Sequence, residues 1–353
     1  ITCYNGSDGE AISIPTGGNG SYSWLWSDGT VSSSINGLSA TTYSVIVTDL
    51  NQCTGTEFVT LTYPPAINIS FITSDYNGYE ISCYGYSDGS IFGDVSGGAN
   101  GIDNSSYSWS AANNPSFTSG AANIPAVLDA DTYTLTVQDN NGCSFSEDVI
   151  LLEPSQLVLI PSSGVTQCNT SIDGVVSVTT SNTGVGPYDY QWNDFSNQIT
   201  ATASGLYGAT SGIVYTEAVT DANNCSATTT ATVYSPSVIT TSFANQTNVS
   251  CFSGNDGELS SVSSFGGTGS TYTYSLDGVL FGPAFPIYDQ LSAGIFTIYT
   301  QDENNCINIE NFTITQPSEI IPNLAELTAV NCIDTDNGVI ISTPTGGTPN
   351  MGN

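Results

Sequence analysis

The chain has 353 residues, of which 32 are Asp or Glu and none is Lys, Arg or His; 9% are charged, all with one sign. An ordinary soluble domain carries about 25% charge of mixed sign. The missing bases exclude an electrostatic footprint for nucleic acid or an anionic bilayer, remove the Arg and Lys clamps that hold nucleotide phosphates, and leave cations, cationic surfaces and neutral sugars as suitable partners.

Hydrophobic residues make up 39% of the chain, and Val, Ile, Tyr and Phe recur in alternating runs, so there is apolar surface to bury and disorder is excluded. No run of 18 apolar residues occurs, so no membrane-spanning helix is expected. The first residues carry no basic segment, and any export signal is expected outside this sequence.

In chain order the first landmark is Cys3, followed five residues later by Asp8-Gly9. Then come a glycine pair, Gly17-Gly18, and an aromatic alternation, Tyr22-x-Trp24-x-Trp26. Leu38 precedes a second alternation, Tyr43-x-Val45-x-Val47, and Asp49-Leu50-Asn51-Gln52-Cys53 closes the series. Period-two runs of aromatic and β-branched residues, separated by Gly and Asp-Gly turns, predict short strands.

The series then recurs. Cys83, Cys168, Cys251 and Cys332 repeat the first context, with Asp88, Asp173, Asp256 and Asn337 before a Gly. Cys143, Cys225 and Cys306 repeat the second, Asp-x-Asn-x-Cys. The first-context cysteines are 80, 85, 83 and 81 residues apart. Such a period is the mark of a repeat architecture. Pro64-Pro65, Pro154, Pro236 and Pro317 mark stiff, short seams. The predicted units are therefore 1–63, 64–153, 154–235, 236–316 and 317–353. Each is expected to hold about seven strands, giving an all-β tandem array of immunoglobulin-like β-sandwich domains. With about 20 Å strands, four such domains are expected to form a rod more than about 100 Å long. Ile1 lies two residues before its cysteine, so the first repeat is expected to lack its leading strand. The fifth stops soon after Gly346-Gly347, leaving Cys332 unpaired. Both ends are expected to be cuts through a longer array.

Three constellations could carry function. The cysteines contain no Cys-x-x-Cys and have no His beside them, which disfavours zinc and redox chemistry. The separations within a repeat suit one bridge per domain: Cys3–Cys53, Cys83–Cys143, Cys168–Cys225 and Cys251–Cys306. Disulfides imply an oxidising, extracytoplasmic location. The carboxylates Asp8, Asp49, Asp88, Asp139, Asp173, Asp221, Asp256 and Asp302, with Asn51, Asn141, Asn223 and Asn304, offer hard oxygen ligands. If the same-repeat bridges form, each set gathers at one end of its sandwich and suits Ca²⁺; equally, Asp-Gly and Asp-x-Asn are turn formers. The aromatic rows could stack sugar rings, or pack the core. For catalysis the chain has neither a His or Lys base nor a cationic oxyanion partner, so no catalytic residue is assigned.

Taken together, Cys-x4-Asp-Gly, Gly-Gly, Tyr-x-Tyr-x-Trp, Leu-x-Ala-x-x-Tyr-x-Val-x-Val-x-Asp-x-Asn-x-Cys and Pro resemble the SprB repeat over essentially all of the chain. The third repeat departs with Thr183-Gly184 for the glycine pair, and the fourth with Leu276 in place of Trp. The resemblance implies an exported filamentous adhesin of gliding bacteria of the Bacteroidota. It also implies secretion by the type IX system, movement along the cell surface, and binding to extracellular surfaces or polysaccharides. A carbohydrate-binding array attached to a secreted enzyme or cell-wall anchor is the alternative reading.

Overall fold

The computed structural model describes residues 1–102, 106–181, 183–282, 288–328 and 338–347; Cys332 lies outside them. Among the described residues the alternating runs become strands, and no helix forms. The chain divides into two compact units. One comprises Ile1–Val158 with Thr180–Asp189 and Val219–Ala227; the other comprises Leu159–Thr179, Tyr190–Ala218 and Thr228–Asn353.

The second repeat shows the plan. Strands Asn68–Thr73, Gly89–Ser96 and Asn123–Leu128 form one antiparallel sheet, and Ser108–Ala111, Thr132–Gln138 and Ser144–Ile150 form the other. The fourth repeat repeats it with Ser237–Thr247, Gly257–Gly267 and Tyr288–Leu291 against Thr273–Ser275, Gly294–Gln301 and Ile307–Ile314. First, second and fourth strands in one sheet facing third, fifth and sixth in the other is the immunoglobulin arrangement without its fourth strand. Among the described residues six strands form in each of these repeats where about seven were expected; in the second repeat residues 112–122, between the aromatic strand and the strand that ends at Leu128, form no strand. The third repeat adds a short edge strand, Gly164–Val165, parallel to Val233–Tyr234. In the first repeat Gly9–Ile12 pairs with Ser34–Leu38 alone.

Period-two alternation places every second residue between the sheets. Along Thr132–Gln138, Tyr133, Leu135 and Val137 are buried while their neighbours face out. They pack with Trp109, Ile91, Leu128 and Leu151. Trp26, Trp109 and Trp192 occupy equivalent core sites, and each indole N–H donates to a backbone carbonyl, of Ser32, Ala121 and Thr200 respectively. In the fourth repeat Leu276 stands at that position, half-buried against a core in which Tyr274, one alternation earlier, is the buried aromatic residue of the row. The aromatic rows thus point inward, with their last member buried and earlier ones half-buried. Tyr43, Tyr133 and Tyr215 each donate a hydroxyl to an upstream carbonyl, of Ser39, Asp129 and Tyr207. This resembles the tyrosine corner that pins the entry to strand F, the sixth strand of an immunoglobulin sandwich.

The two cysteines of one repeat sit at opposite ends of it. Cys83 lies where Gly89 pairs with Leu128 and Ile81 bonds Leu152. Cys143 lies beyond the other end of Thr132–Gln138, beside Ala99 and Ala66. Seven residues of strand separate these ends, about 23 Å, whereas a disulfide needs Cα atoms within about 7 Å. The expected same-repeat bridges Cys3–Cys53, Cys83–Cys143, Cys168–Cys225 and Cys251–Cys306 are therefore corrected.

Candidate functional site

The bridges run between repeats: Cys3–Cys143, Cys83–Cys225 and Cys168–Cys306, each with Cα atoms 5.7 Å apart. Each joins the trailing end of one repeat to the leading end of the next. Cys53 and Cys251 are exposed free thiols.

The leading half is built from two of the repeated motifs, the glycine pair and Asp-x-Asn-x-Cys. After the glycine pair the chain turns over the Asp of Asp-x-Asn-x-Cys. One oxygen of that Asp accepts the N–H of the residue after the pair: Asn19 to Asp49, Ala99 to Asp139, Val185 to Asp221 and Thr268 to Asp302, at 2.8–3.0 Å. The other oxygen accepts from the Asn and Cys amides, for example Asn141 and Cys143 to Asp139, both at 2.9 Å. The second glycine must be bare. It has φ of +74° at Gly98, and a Cβ there would lie 2.9 Å from the Asp139 side chain. Repeat three keeps this glycine as Gly184, which explains why Thr183 is tolerated at the first place. The N–H donors from Cys53, Asn19 and Asn51 hold the Asp49 carboxyl below its ordinary value. At Asp139 burial opposes ionisation, but the amides of Ala99, Cys143, Asn141 and Gly142 prevail and the pKa is again lowered.

The trailing half is Cys-x4-Asp-Gly. Its Asp accepts the N–H of the residue before the cysteine: Thr2 to Asp8, Ser82 to Asp88, Gln167 to Asp173 and Ser250 to Asp256, at 3.0–3.1 Å. That residue's carbonyl faces the next repeat, where the Asn side chain reaches it. Asn141 donates to Thr2 at 3.3 Å, Asn223 to Ser82 at 3.0 Å and Asn304 to Gln167 at 3.2 Å. Thus one peptide unit is held on its N–H side by its own repeat and on its C=O side by its neighbour, directly beside the disulfide. Asn223 bonds a second carbonyl, Tyr76, at 3.0 Å. Asn223→Ala should remove both of these bonds, together with the one its Oδ1 accepts from Asn77, and cost about 1–3 kcal/mol. The expected result is faster reduction of Cys83–Cys225 by a small thiol. Asn51→Ala, whose side chain has no partner among the described residues, should change nothing.

The proposed calcium sets are not assembled within a repeat. Asp8 lies at the trailing end of the first sandwich and Asp49, with Asn51, at the leading end; Asp88, Asp173 and Asp256 are likewise parted from Asp139, Asp221 and Asp302 of their own repeats. The reason is the same as for the cysteines. The seam instead brings Asp8 near Asn141, but the carboxylates there accept backbone N–H groups, which leaves their lone pairs poorly placed for a cation. Among the described residues no group of three or more Asp, Glu or Cys is gathered for a metal. Millimolar calcium is therefore expected to leave the melting temperature unchanged; a rise abolished by Asp49→Ala would reverse this.

The signal missed in the sequence is the shared register of Thr2, Ser82 and Gln167 with Asn141, Asn223 and Asn304. Both motifs are readable, but their pairing across a seam is not.

No curated protein matches the sequence. Among solved structures, the eight N-terminal Ig domains of Down Syndrome Cell Adhesion Molecule match with 11% identity and TM-score 0.22, over 98% of this chain and 57% of that one. The human Desmocollin-1 ectodomain matches with 13% identity and TM-score 0.24, over 89% and 76%. A tetra-tandem repeat from the extending region of a large adhesion protein matches with 12% identity and TM-score 0.25, over 89% and 97%. The chain spans little more than half of the first of these. The family model that matches is the SprB repeat, over residues 243–281, the segment holding the fourth repeat's Cys-x4-Asp-Gly loop, glycine pair and aromatic strand.

Proposed function

We propose that this chain is a tension-bearing stalk segment of a secreted cell-surface adhesin, with no catalytic role. The observation that carries it is the clasp: three seams stapled in the same register, each joining neighbouring sandwiches by a covalent bond. The disulfides suit an oxidising extracellular setting. The SprB repeat match supports an adhesin at the cell surface. Binding of extracellular surfaces or polysaccharides, export by a type IX system and motion along the surface during gliding complete the proposal on the family resemblance. The inward aromatic rows do not support a sugar-binding array.

Pulling the chain by its ends tests this. The loops closed by Cys3–Cys143 and Cys168–Cys306 contain 140 and 138 residues that cannot lengthen while oxidised. At about 3.5 Å per residue, reduction should add roughly 1000 Å of extensible length under force. Equal extension before and after reduction would remove the basis for a stalk locked by its seams.

A further inference from the structure

The leading end of the first repeat differs from its counterparts. In the second, fourth and fifth repeats the first glycine of the pair is covered by the chain entering the sandwich. A Cβ at Gly97 would lie 1.9 Å from the Ala66 carbonyl oxygen, at Gly266 2.1 Å from that of Val238, and at Gly346 1.8 Å from that of Glu319. At Gly17 a Cβ would meet nothing within 4 Å. The strand that follows in each case tells the same story. Gly89–Ser96 lies between two partners, as does Gly257–Gly267, whereas Gly9–Ile12 has one edge open. Beside that edge runs a groove of about 720 Å³, lined by Ala11, Trp26, Val45 and Val47 and ending at Cys53. Val47 is half-buried, while its equivalents Val137 and Val219 are fully enclosed.

Cys53 itself sits in a complete leading half-clasp. Asp49 holds the amides of Asn51 and Cys53 as Asp139 holds those of Asn141 and Cys143. Yet the thiol is free and the Asn51 side chain has no partner among the described residues, where Asn141, Asn223 and Asn304 each reach a neighbouring carbonyl. At the other extreme Ser250 is held by Asp256 in a complete trailing half-clasp, and Cys251 is free and exposed.

We infer that the face running from the Gly9–Ile12 edge past Gly17 to Cys53 is an acceptor for a further repeat of this same pattern joined ahead of Ile1. Such a repeat would lay an extended segment along the open edge and bond Cys53 through its Cys-x4-Asp-Gly cysteine; Cys251 is the matching donor toward a following repeat. Bond formation consumes a small-molecule disulfide. One thiolate displaces a thiol from that oxidant to form a mixed disulfide, and the second thiolate displaces the other thiol. The two cysteines thereby lose two electrons and two protons, and one oxidant becomes two thiols.

The test is a fusion in which a copy of residues 154–248 is joined directly ahead of Ile1 of the full chain and refolded with oxidised and reduced glutathione. Peptide mapping should find the copy's Cys168 bonded to Cys53, and amide exchange at Glu10–Ile12 should slow at least tenfold. With Cys168→Ser in the copy, Cys53 should react with thiol reagent again while the slowed exchange persists, because the strand docks without the bond. A second fusion, residues 268–316 placed after Gly347 to complete the fifth repeat, should bond the copy's Cys306 to Cys251 rather than to Cys332. Reactive Cys53 and Cys251 in both fusions, or a bond within one repeat, would overturn the inference. So would disulfide-linked oligomers of the unextended chain that disappear with Cys53→Ser, since a second copy would then be the occupant.

Discussion

Replacing Glu217 by Leu is expected to stabilise the third repeat by about 3 kcal/mol at pH 8, raising its unfolding temperature by on the order of 10 °C. Glu217 stands four residues before its Asp-x-Asn aspartate, the place held by Val45, Leu135 and Ile298 in the other repeats. It is fully buried, and neither carboxylate oxygen has a hydrogen-bond partner among the described residues. Burial alone pushes its pKa up to about 7. Desolvation penalises the charged form, and nothing nearby compensates it. Below about pH 4.5 the group is protonated both folded and unfolded, so its stability contribution is fully present. As pH rises from about 4.5 to about 7 the unfolded chain ionises while the folded one resists, and stability falls by about 1.4 kcal/mol per pH unit until the folded group also ionises. The carboxyls of Asp49, Asp173 and Asp256, whose pKa values are lowered, act in the opposite sense at acid pH. The informative quantity is therefore the difference between the parent chain and Glu217→Gln, measured by thermal unfolding at pH 4 and pH 8. It should be small at pH 4 and favour the variant at pH 8. A difference that does not change with pH would show that Glu217 finds a counter-group.

The second large effect concerns the clasps. Each bridge closes a loop of 138–142 residues, worth about 5 kcal/mol on the chain-entropy account. Peptide mapping is expected to return Cys3–Cys143, Cys83–Cys225 and Cys168–Cys306. The chain has no Lys or Arg, so trypsin has no site even when it is unfolded. A protease that cuts after aromatic residues separates the seams from the cores. Tyr4 and Tyr84 adjoin bridged cysteines and are exposed, whereas Trp109 and Trp192 are buried in separate sandwiches. Reduction frees the seams but leaves each sandwich its own core. Cutting after Tyr4 and Tyr84 should then quicken at least tenfold, with cutting at Trp109 and Trp192 lagging because it needs the sandwich to open. Seams and cores cleaved together, or a map of same-repeat pairs, would contradict the interlocked arrangement.

Much of this protein follows from local pattern. Alternation of Tyr133, Leu135 and Val137 with polar neighbours permits only a half-buried strand, because side chains leave a strand on opposite faces in turn. The glycine pairs and Asp-x-Asn segments specify turns through their own backbone preferences, and their recurrence at fixed spacing yields the repeat. The inward position of Trp26, Trp109 and Trp192 follows from the same alternation. The cysteine pairing could not be read this way. Cys83 and Cys143 are close enough in sequence to suggest a bridge, but which end of a sandwich each turn reaches depends on the number of strands between them and on how the sheets are ordered. Only the folded chain shows that Cys-x4-Asp-Gly faces onward and Asp-x-Asn-x-Cys faces back. That opposition parts Asp8 from Asp49, turns the expected calcium ligands into turn supports, and moves every disulfide from the interior of a repeat to the seam between two. Glu217 marks the same limit: the alternation places it inward, and only the packed third repeat shows that the core provides no partner for its charge.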